Sequence, residues 1–194
     1  MKLVVGLGNP GEEYENTRHN TGWVVLDFML GKKIEWKESS GTKALFYKDS
    51  ISGKPVEYLK PTTFMNKSGN AVLYAKDKHK VPLKDIIVIH DDIDLPLGKM
   101  KISFNRSSGG HNGLGSVIKS LKSEEFLRIR VGIAPATPSG KIKKPKGKKA
   151  VLNFLLGEFK KPELEILKKL SKNVALAVEI IFTESKEKAM SLYN

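Results

Sequence analysis

The sequence predicts an α/β fold in which one mixed, mostly parallel sheet is flanked by helices on both faces. Strand-like apolar runs alternate with helix-like patterns along the 194 residues. Two of these runs, Val4–Leu7 and Ile86–Ile89, are almost wholly apolar, as is typical of central strands buried on both faces. Ser52 and Gly53 separate two further strand-like runs and indicate a hairpin near one side of the sheet. We therefore expect a three-layer sandwich.

The individual elements follow in order along the chain. Short runs that are apolar or alternate between apolar and polar residues predict six strands: Lys2–Leu7, Lys43–Lys48, Val56–Lys60, Ile86–His90, Lys99–Phe104 and Leu127–Ile133. Apolar residues at helical spacing predict five helices: Gly22–Gly31, Gly69–Lys78, Leu114–Leu121, Pro162–Phe182 and Lys186–Leu192. Asn66 or Ser68 is available to cap the helix that starts near Gly69.

The length of the chain favours a single domain over residues 1–194. Residues 135–149, called the basic segment below, are rich in proline, glycine and lysine. Proline and glycine disfavour regular structure, and lysines without nearby carboxylates repel one another, so we expect a mobile basic loop. The segment is either a solvated insertion without a partner or a contact for nucleic acid. We favour the contact, because the segment joins elements close to the predicted site.

The charge balance points in the same direction. Lys and Arg number 34 against 21 Asp and Glu, which gives a net charge of +13. Such an excess favours an anionic partner, either nucleic acid or an anionic membrane surface, although a lysine-rich solvated surface is the simpler alternative. The chain has no cysteine, which excludes disulfides, thiolate zinc sites and a cysteine nucleophile and fits a reducing cytoplasm. The apolar stretch Val174–Phe182 carries Glu179 and is too short to span a bilayer, so we expect no membrane association.

Three glycines near the start of the chain, Gly6, Gly8 and Gly11, fit the G-x-G-x-x-G pattern of dinucleotide-binding proteins. Pro10 opposes a helix inside that run, and the nearest carboxylate at the expected spacing, Asp27, lies in a helical pattern. We therefore favour a loop at a strand end over a dinucleotide site. The sequence also lacks the G-x-S-x-G, P-loop and H-E-x-x-H patterns.

Polar residues stand where regular elements end. If the strands Lys2–Leu7 and Ile86–His90 are parallel neighbours, His19 and Asp91 come together at one edge of the sheet. A carboxylate beside an imidazole fixes its tautomer and raises its basicity, which makes a general base for water. Asparagine amides cannot take that proton, but they can donate to a carbonyl or a developing oxyanion. The asparagines in question are Asn9, Asn66 and Asn112.

Each of these residues also has a structural interpretation. Asn9 can form a turn, and Asn112 can form a turn or a cap. His90 and His111 are expected to be structural, and His79 is expected at the surface. The carboxylates Asp91, Asp92 and Asp94 with His90 allow a two-metal site instead, although the surrounding amides are poor ligands for transition metals.

Four motifs in this order closely resemble bacterial-type peptidyl-tRNA hydrolases. They are Gly6-Leu7-Gly8-Asn9-Pro10-Gly11 with Tyr14 and Thr17-Arg18-His19-Asn20, then Pro61-Thr62-Thr63-Phe64-Met65-Asn66-Lys67-Ser68-Gly69, then His90-Asp91-Asp92-Ile93-Asp94-Leu95-Pro96, and finally Gly109-Gly110-His111-Asn112-Gly113. The resemblance implies an esterase without cofactor or metal, acting on the bond between a peptide and the 3′ ribose of tRNA.

The resemblance also implies roles for individual residues. His19 would be the general base, Asp91 would hold it in its basic form, and Asn9 would help to distinguish N-blocked from free aminoacyl groups. The substrate- and tRNA-binding residues would be Tyr14, Phe64, Met65, Asn66 and Asn112. We expect a cytoplasmic monomer. Two alternatives stay open from the residues alone: a metal-dependent RNA phosphodiesterase and a non-catalytic RNA-binding protein.

Overall fold

The computed structural model describes residues 1–31, 33–39, 41–137 and 141–194. Seven strands form one sheet in the order β2-β3-β4-β1-β5-β7-β6. The strands are β1 (Lys2–Gly6), β2 (Lys37–Ser39), β3 (Ala44–Ile51), β4 (Lys54–Pro61), β5 (Ile86–Pro96), β6 (Met100–Phe104) and β7 (Leu127–Ala134). The helices are α1 (Thr21–Leu30), α2 (Ser68–Lys78), α3 (Asn112–Leu121), α4 (Lys148–Leu156), α5 (Lys161–Thr183) and α6 (Lys186–Tyr193).

The predicted α/β sandwich with a mixed sheet is confirmed. β1 lies between β4 and β5 and is parallel to both, and β7 continues the parallel set beyond β5. β3 and β6 run in the opposite direction. At the predicted hairpin between β3 and β4, Ser52 and Gly53 have φ of 49° and 75°. Two successive left-handed residues are typical of a tight hairpin turn whose twist matches its strands.

The core has two halves because side chains alternate along the central strands. Val4 and Ile87 belong to the half that faces α1 and α5, and Leu3 and Val88 belong to the half that faces α2 and α3. This alternation explains why the central strands are wholly apolar in sequence. None of the described helices is long and apolar enough to cross a membrane.

The structure differs from the predicted elements most clearly at β2, at the end of β5 and in the basic segment. β2 was not predicted, because Lys37–Ser39 is a polar edge strand without apolar alternation. β5 continues to Pro96 through three carboxylates, since it stays paired with β7 through Asp92 before the register shifts. The basic segment is not wholly a loop: α4 begins at Lys148, inside the lysine run.

The rest of the basic segment has little regular structure. Ala136 and Ile142 form an isolated antiparallel bridge, and residues 138–140, which the predicted loop includes, lie outside the described residues. The mobility of the segment stays a prediction.

Candidate active site

The site lies at the carboxyl ends of β1 and β5. The two strands are paired in parallel up to Gly6 and Ile89, and the Leu7 backbone N–H extends the pairing to the Ile89 carbonyl at 3.0 Å. Open α/β sheets bind ligands at this edge. The start of α1 approaches closely because residue 22 is glycine: a Cβ there would lie 2.3 Å from the Leu7 nitrogen. This contact places the preceding residues, His19 among them, over the ends of both strands.

A short 3-10 helix, Arg18–Asn20, presents the functional side chains. His19 faces Asp91, with Nδ1 3.1 Å from Oδ2 and 3.2 Å from Oδ1. Asn20 is fully buried and makes two 2.9 Å bonds to Asn9, accepting from its backbone N–H and donating to its carbonyl. The predicted meeting of His19 and Asp91 is therefore observed, and Asn20 fixes the loop that carries Asn9.

Asp91 holds a second imidazole as well. Its Oδ1 lies 3.0 Å from Nε2 of His111, and only 3% of the residue is exposed. His111 Nδ1 accepts from the backbone N–H groups of Gly113 and Leu114 at the start of α3. Because Nδ1 is an acceptor, the proton of neutral His111 is on Nε2 and is donated to Asp91.

The same reasoning fixes the tautomer of His19. A carboxylate only accepts, so His19 donates from Nδ1 and its Nε2 keeps a lone pair. Nε2 makes no hydrogen bond within the described part of the chain, and His19 lines the cavity described below. An imidazole in this state is ready to take a proton from a molecule in the cavity.

The electrostatics support a basic His19. Burial alone lowers the pKa of His19, but attraction and hydrogen bonding to Asp91 outweigh it, so the pKa is raised above 6.5. Burial opposes ionisation of Asp91, yet the two neighbouring imidazoles hold its pKa far below the usual range. Burial also lowers the pKa of His90 to about 3, so His90 is neutral and donates from Nδ1 to the Asp91 carbonyl at 2.7 Å.

The geometry favours proton chemistry over a metal centre. His19, Asp91 and His111 lie close enough to share an ion. Binding through Nε2 of His111 would require its proton to leave, while Nδ1 stays held by two amide donors. The carboxylates Asp92 and Asp94 are paired with Arg130 and Lys144. These ion pairs compete with metal binding, so the geometry does not favour the alternative two-metal arrangement of these carboxylates.

Neither Asn66 nor Asn112 caps a helix, and the side chain of Asn9 contacts a distant segment and not a local turn. Asn9 is 7% exposed, and its Oδ1 accepts from the Met65 backbone N–H at 2.8 Å, so its Nδ2 points elsewhere as a donor. Asn66 is exposed and α2 has no side-chain cap. Asn112 is also exposed, and the cap of α3 is His111.

A cavity of about 780 Å³ opens beside His19. The polar side chains that line it include His19, Asp91, His111, Asn112, Arg128 and Arg130. Other predicted site residues are not among its described lining: Asn9, Tyr14, Phe64, Met65 and Asn66. Phe64 is 58% exposed and Met65 is 4% exposed, within the core. The structure thus gathers His19, Asp91 and Asn112 around one space and places the others outside it.

Sequence reasoning missed the contribution of His111 to the site. His111 was expected to be structural, and its contact with Asp91 was not predicted because it depends on the capping geometry of α3. His79, which was expected at the surface, is half-buried outside this site, and its Nε2 lies 3.2 Å from the buried Glu57 carboxylate. The only signal for His111 was its place directly before a helix, inside the fourth motif.

Comparisons with known proteins agree with the resemblance. The family model described as peptidyl-tRNA hydrolase matches residues 3–194. A peptidyl-tRNA hydrolase of Thermotoga maritima is 44% identical over 194 residues, covering 99% of this chain and 96% of that protein. One of Carboxydothermus hydrogenoformans is 42% identical over 195 residues, covering 100% and 98%. The crystal structure of peptidyl-tRNA hydrolase from Acinetobacter baumannii is similar with a TM-score of 0.87 at 29% identity, covering 100% of this chain and 94% of that one.

Proposed function

The chain belongs to the peptidyl-tRNA hydrolase family, and we propose that it hydrolyses peptidyl-tRNA with His19 as the general base. The bond cleaved is the ester between the terminal carbonyl of a peptide, or an N-blocked amino acid, and the 3′ ribose of tRNA. One observation carries the assignment to His19: its Nδ1–H is held by buried Asp91 at 3.1 Å while the ring lines the cavity.

In this mechanism, Nε2 of His19 takes a proton from water as the oxygen attacks the ester carbonyl carbon. A new carbon–oxygen bond forms, and the carbonyl electron pair moves to the oxygen as an oxyanion. When the pair returns, the bond to the ribose oxygen breaks, and the imidazolium gives its proton to that oxygen. Asp91 stabilises the imidazolium in between. The products are a free peptide carboxyl group and tRNA with an intact ribose.

The amide side chains supply the remaining polar groups. Asn9 Oδ1 accepts from the Met65 N–H, and Nδ2 donates to no group among the described residues, which suits recognition of a carbonyl on the N-blocked substrate. Asn112 lines the cavity and Asn66 is exposed, so both are available to the peptide backbone or the attacking water. We assign Tyr14, Phe64 and the Met65 region to the surface that receives the terminal nucleotide and peptide.

The tRNA requires cations around this site. Arg128 and Arg130 line the cavity, and the exposed Lys146, Lys148 and Lys149 continue the positive charge at the start of α4. Arg128 is 2% exposed and bonds the Ser107 carbonyl, so it supports the wall. The exposed lysines of the basic segment are the better candidates for phosphate contacts. We further propose that the protein is a cytoplasmic monomer.

The deciding experiment is incubation with N-acetylated aminoacyl-tRNA in excess chelator. We expect release of N-acetyl amino acid by the wild type and loss of turnover in His19→Ala, with tRNA affinity nearly unchanged. His79→Gln is the matched control, because His79, directly after α2, pairs with Glu57 of β4 outside the cavity lining. An ester that stays intact means a non-catalytic RNA-binding protein, and activity restored only by added metal means a metal-dependent enzyme. Retained turnover in His19→Ala would mean that His19 is not the general base.

A further inference from the structure

Arg18, the residue directly before His19, sends its side chain away from the cavity into a well-defined clamp. The central carbon of its guanidinium lies 4.7 Å from the ring centre of Phe154 and 5.4 Å from that of Phe159. Its Nη2 lies 3.2 Å and 3.1 Å from the two carboxylate oxygens of Glu163. Only 12% of the side chain is exposed, so this contact is partly shielded from water and stronger than a surface ion pair.

The three residues that hold Arg18, called the clamp partners, lie in α4, in α5 and between the two helices. Phe154 lies in α4, Phe159 lies between the helices, and Glu163 lies in the first turn of α5. The Glu163 carboxylate also accepts from the Lys160 backbone N–H at 2.6 Å, and this bond holds its orientation independently of Arg18. The clamp is therefore built on a rigid helix start.

The backbone around Arg18 is tied to the connection between α4 and α5. Its N–H donates to the Gly157 carbonyl at 3.0 Å, and Thr17 forms a bridge with Glu158. In a 3-10 helix, successive side chains diverge by about 120°, because there are three residues per turn. Arg18 thus anchors one side of the helix while His19 projects from another side toward Asp91.

Helix α4, which carries Phe154, also forms part of the cavity. Val151 and Leu155 of α4 line the same space as His19. A shift of α4 relative to the 3-10 helix would therefore change both the cavity wall and the direction of the His19 ring.

We propose that Arg18 is a positioning residue for the reaction, which holds the His19 backbone against the α4–α5 connection and so aims Nε2 at the substrate. The proposal rests on the proposed role of His19. A displacement of about 1 Å in a reacting group can lower turnover about 100-fold, so the clamp affects chemistry as well as stability. Lysine keeps the charge but lacks the planar guanidinium that stacks on Phe154 and Phe159.

The test compares Arg18→Lys, Arg18→Ala and Glu163→Gln with Glu165→Gln as the matched control. Glu165 lies in the same helix turn but is exposed, and its ion-pair partner among the described residues is Lys168. On N-acetylated aminoacyl-tRNA, well below each melting temperature, we expect kcat to fall about 10-fold in Arg18→Lys and Glu163→Gln and about 100-fold in Arg18→Ala, with KM nearly unchanged. Glu165→Gln should match the wild type. An unchanged kcat in the clamp variants would overturn the proposal.

A second measurement does not depend on hydrolysis. The chain has four histidines, so ¹⁵N-histidine spectra can follow His19 individually. Arg18→Lys keeps the charge, so a fall in the pKa of His19 in this variant reports a loosened contact with Asp91 and supports the proposal. An unchanged pKa and Nδ1–H tautomer in Arg18→Lys and Glu163→Gln would reduce Arg18 to a stabilising contact. If the wild type cleaves no ester, the proposed function fails, and these spectra still decide whether Arg18 positions His19.

Discussion

Asp91 shows how one buried residue organises the chemistry of the site. It accepts from two imidazoles that differ at their other ring nitrogen: Nδ1 of His111 is held by the amides of α3, and Nε2 of His19 makes no hydrogen bond within the described residues, while the His19 ring lines the cavity. A buried carboxylate stays ionised only with such partners. The same contacts that keep Asp91 charged therefore select the tautomer in which His19 is a base.

The pH dependence of wild-type kcat/KM should report this arrangement. His19 acts as a base only when neutral, and its pKa is raised above 6.5, so kcat/KM should rise with pH through an apparent pKa above 6.5. Asp91→Asn removes the two contributions that raise the pKa and leaves burial, which lowers it. In the profile of kcat/KM against pH, we expect the rising limb to move to lower pH and the plateau at high pH to fall about 10²- to 10⁴-fold. The profile is measured with N-acetylated aminoacyl-tRNA.

Asp94→Asn is the control for this prediction, because Asp94 is an exposed carboxylate in the same strand whose described partner is Lys144. Its limb should stay at the wild-type pH. A limb that does not move in Asp91→Asn would mean that another group titrates.

At the level of elements, the sequence predicted those strands and turns whose structure is determined by the local pattern of residues. The central strands and the β3–β4 hairpin were found because wholly apolar runs and a tight turn are visible without knowledge of their neighbours. The parallel order of β1 and β5 was enough to predict that His19 meets Asp91. α4 was missed because it begins with Lys148 and Lys149 directly after a lysine-rich segment with proline and glycine, and because it has no buried residue.

Contacts between distant segments could not be predicted in this way. Arg18 and Glu163 are separated by 145 positions, and nothing in either segment specifies the partner. The role of His111 likewise depends on the direction in which α3 starts. These contacts result from packing: the sequence alone placed Glu163 in a predicted helix and Arg18 after a predicted strand, without linking the two.

The crossing of α2 and α3 offers a test at this scale. A Cβ on Gly69 would lie 2.1 Å from the backbone oxygen of Ser116, so the two helices touch at this glycine. Gly69→Ala should force them apart, lower the stability by about 1–3 kcal/mol and lower turnover, because the start of α3 carries His111. Urea unfolding and the hydrolysis assay measure the two effects.

Gly115→Ala is the matched control in α3. The nearest atom to a Cβ there is Ser108 Oγ at 3.9 Å, an ordinary contact. Because alanine favours a helix over glycine by up to about 1 kcal/mol, this variant should be as stable as the wild type or more so. Equal stability of the two variants would mean that α2 and α3 do not touch at Gly69.

At the scale of the whole molecule, the net charge of +13 should act mainly through one region. We predict that replacing Lys146, Lys148 and Lys149 with glutamine weakens tRNA binding and flattens its salt dependence. Each lost phosphate contact lowers the slope of log affinity against log salt by about 0.7–0.9. Glutamine is a good helix former, so α4 should persist. Anisotropy of labelled, uncharged tRNA over a range of salt concentrations measures the slope.

The control set is Lys168, Lys169 and Lys172, which are exposed on α5. Both sets remove three positive charges, so the general attraction between the protein and tRNA falls equally. Only contacts made directly with phosphates release bound counterions, and these set the slope. A slope reduced in the α4 set and nearly unchanged in the α5 set would locate tRNA beside the cavity that contains His19. Equal slopes in both sets would mean that the basic segment is a solvated surface that does not contact the phosphates of tRNA.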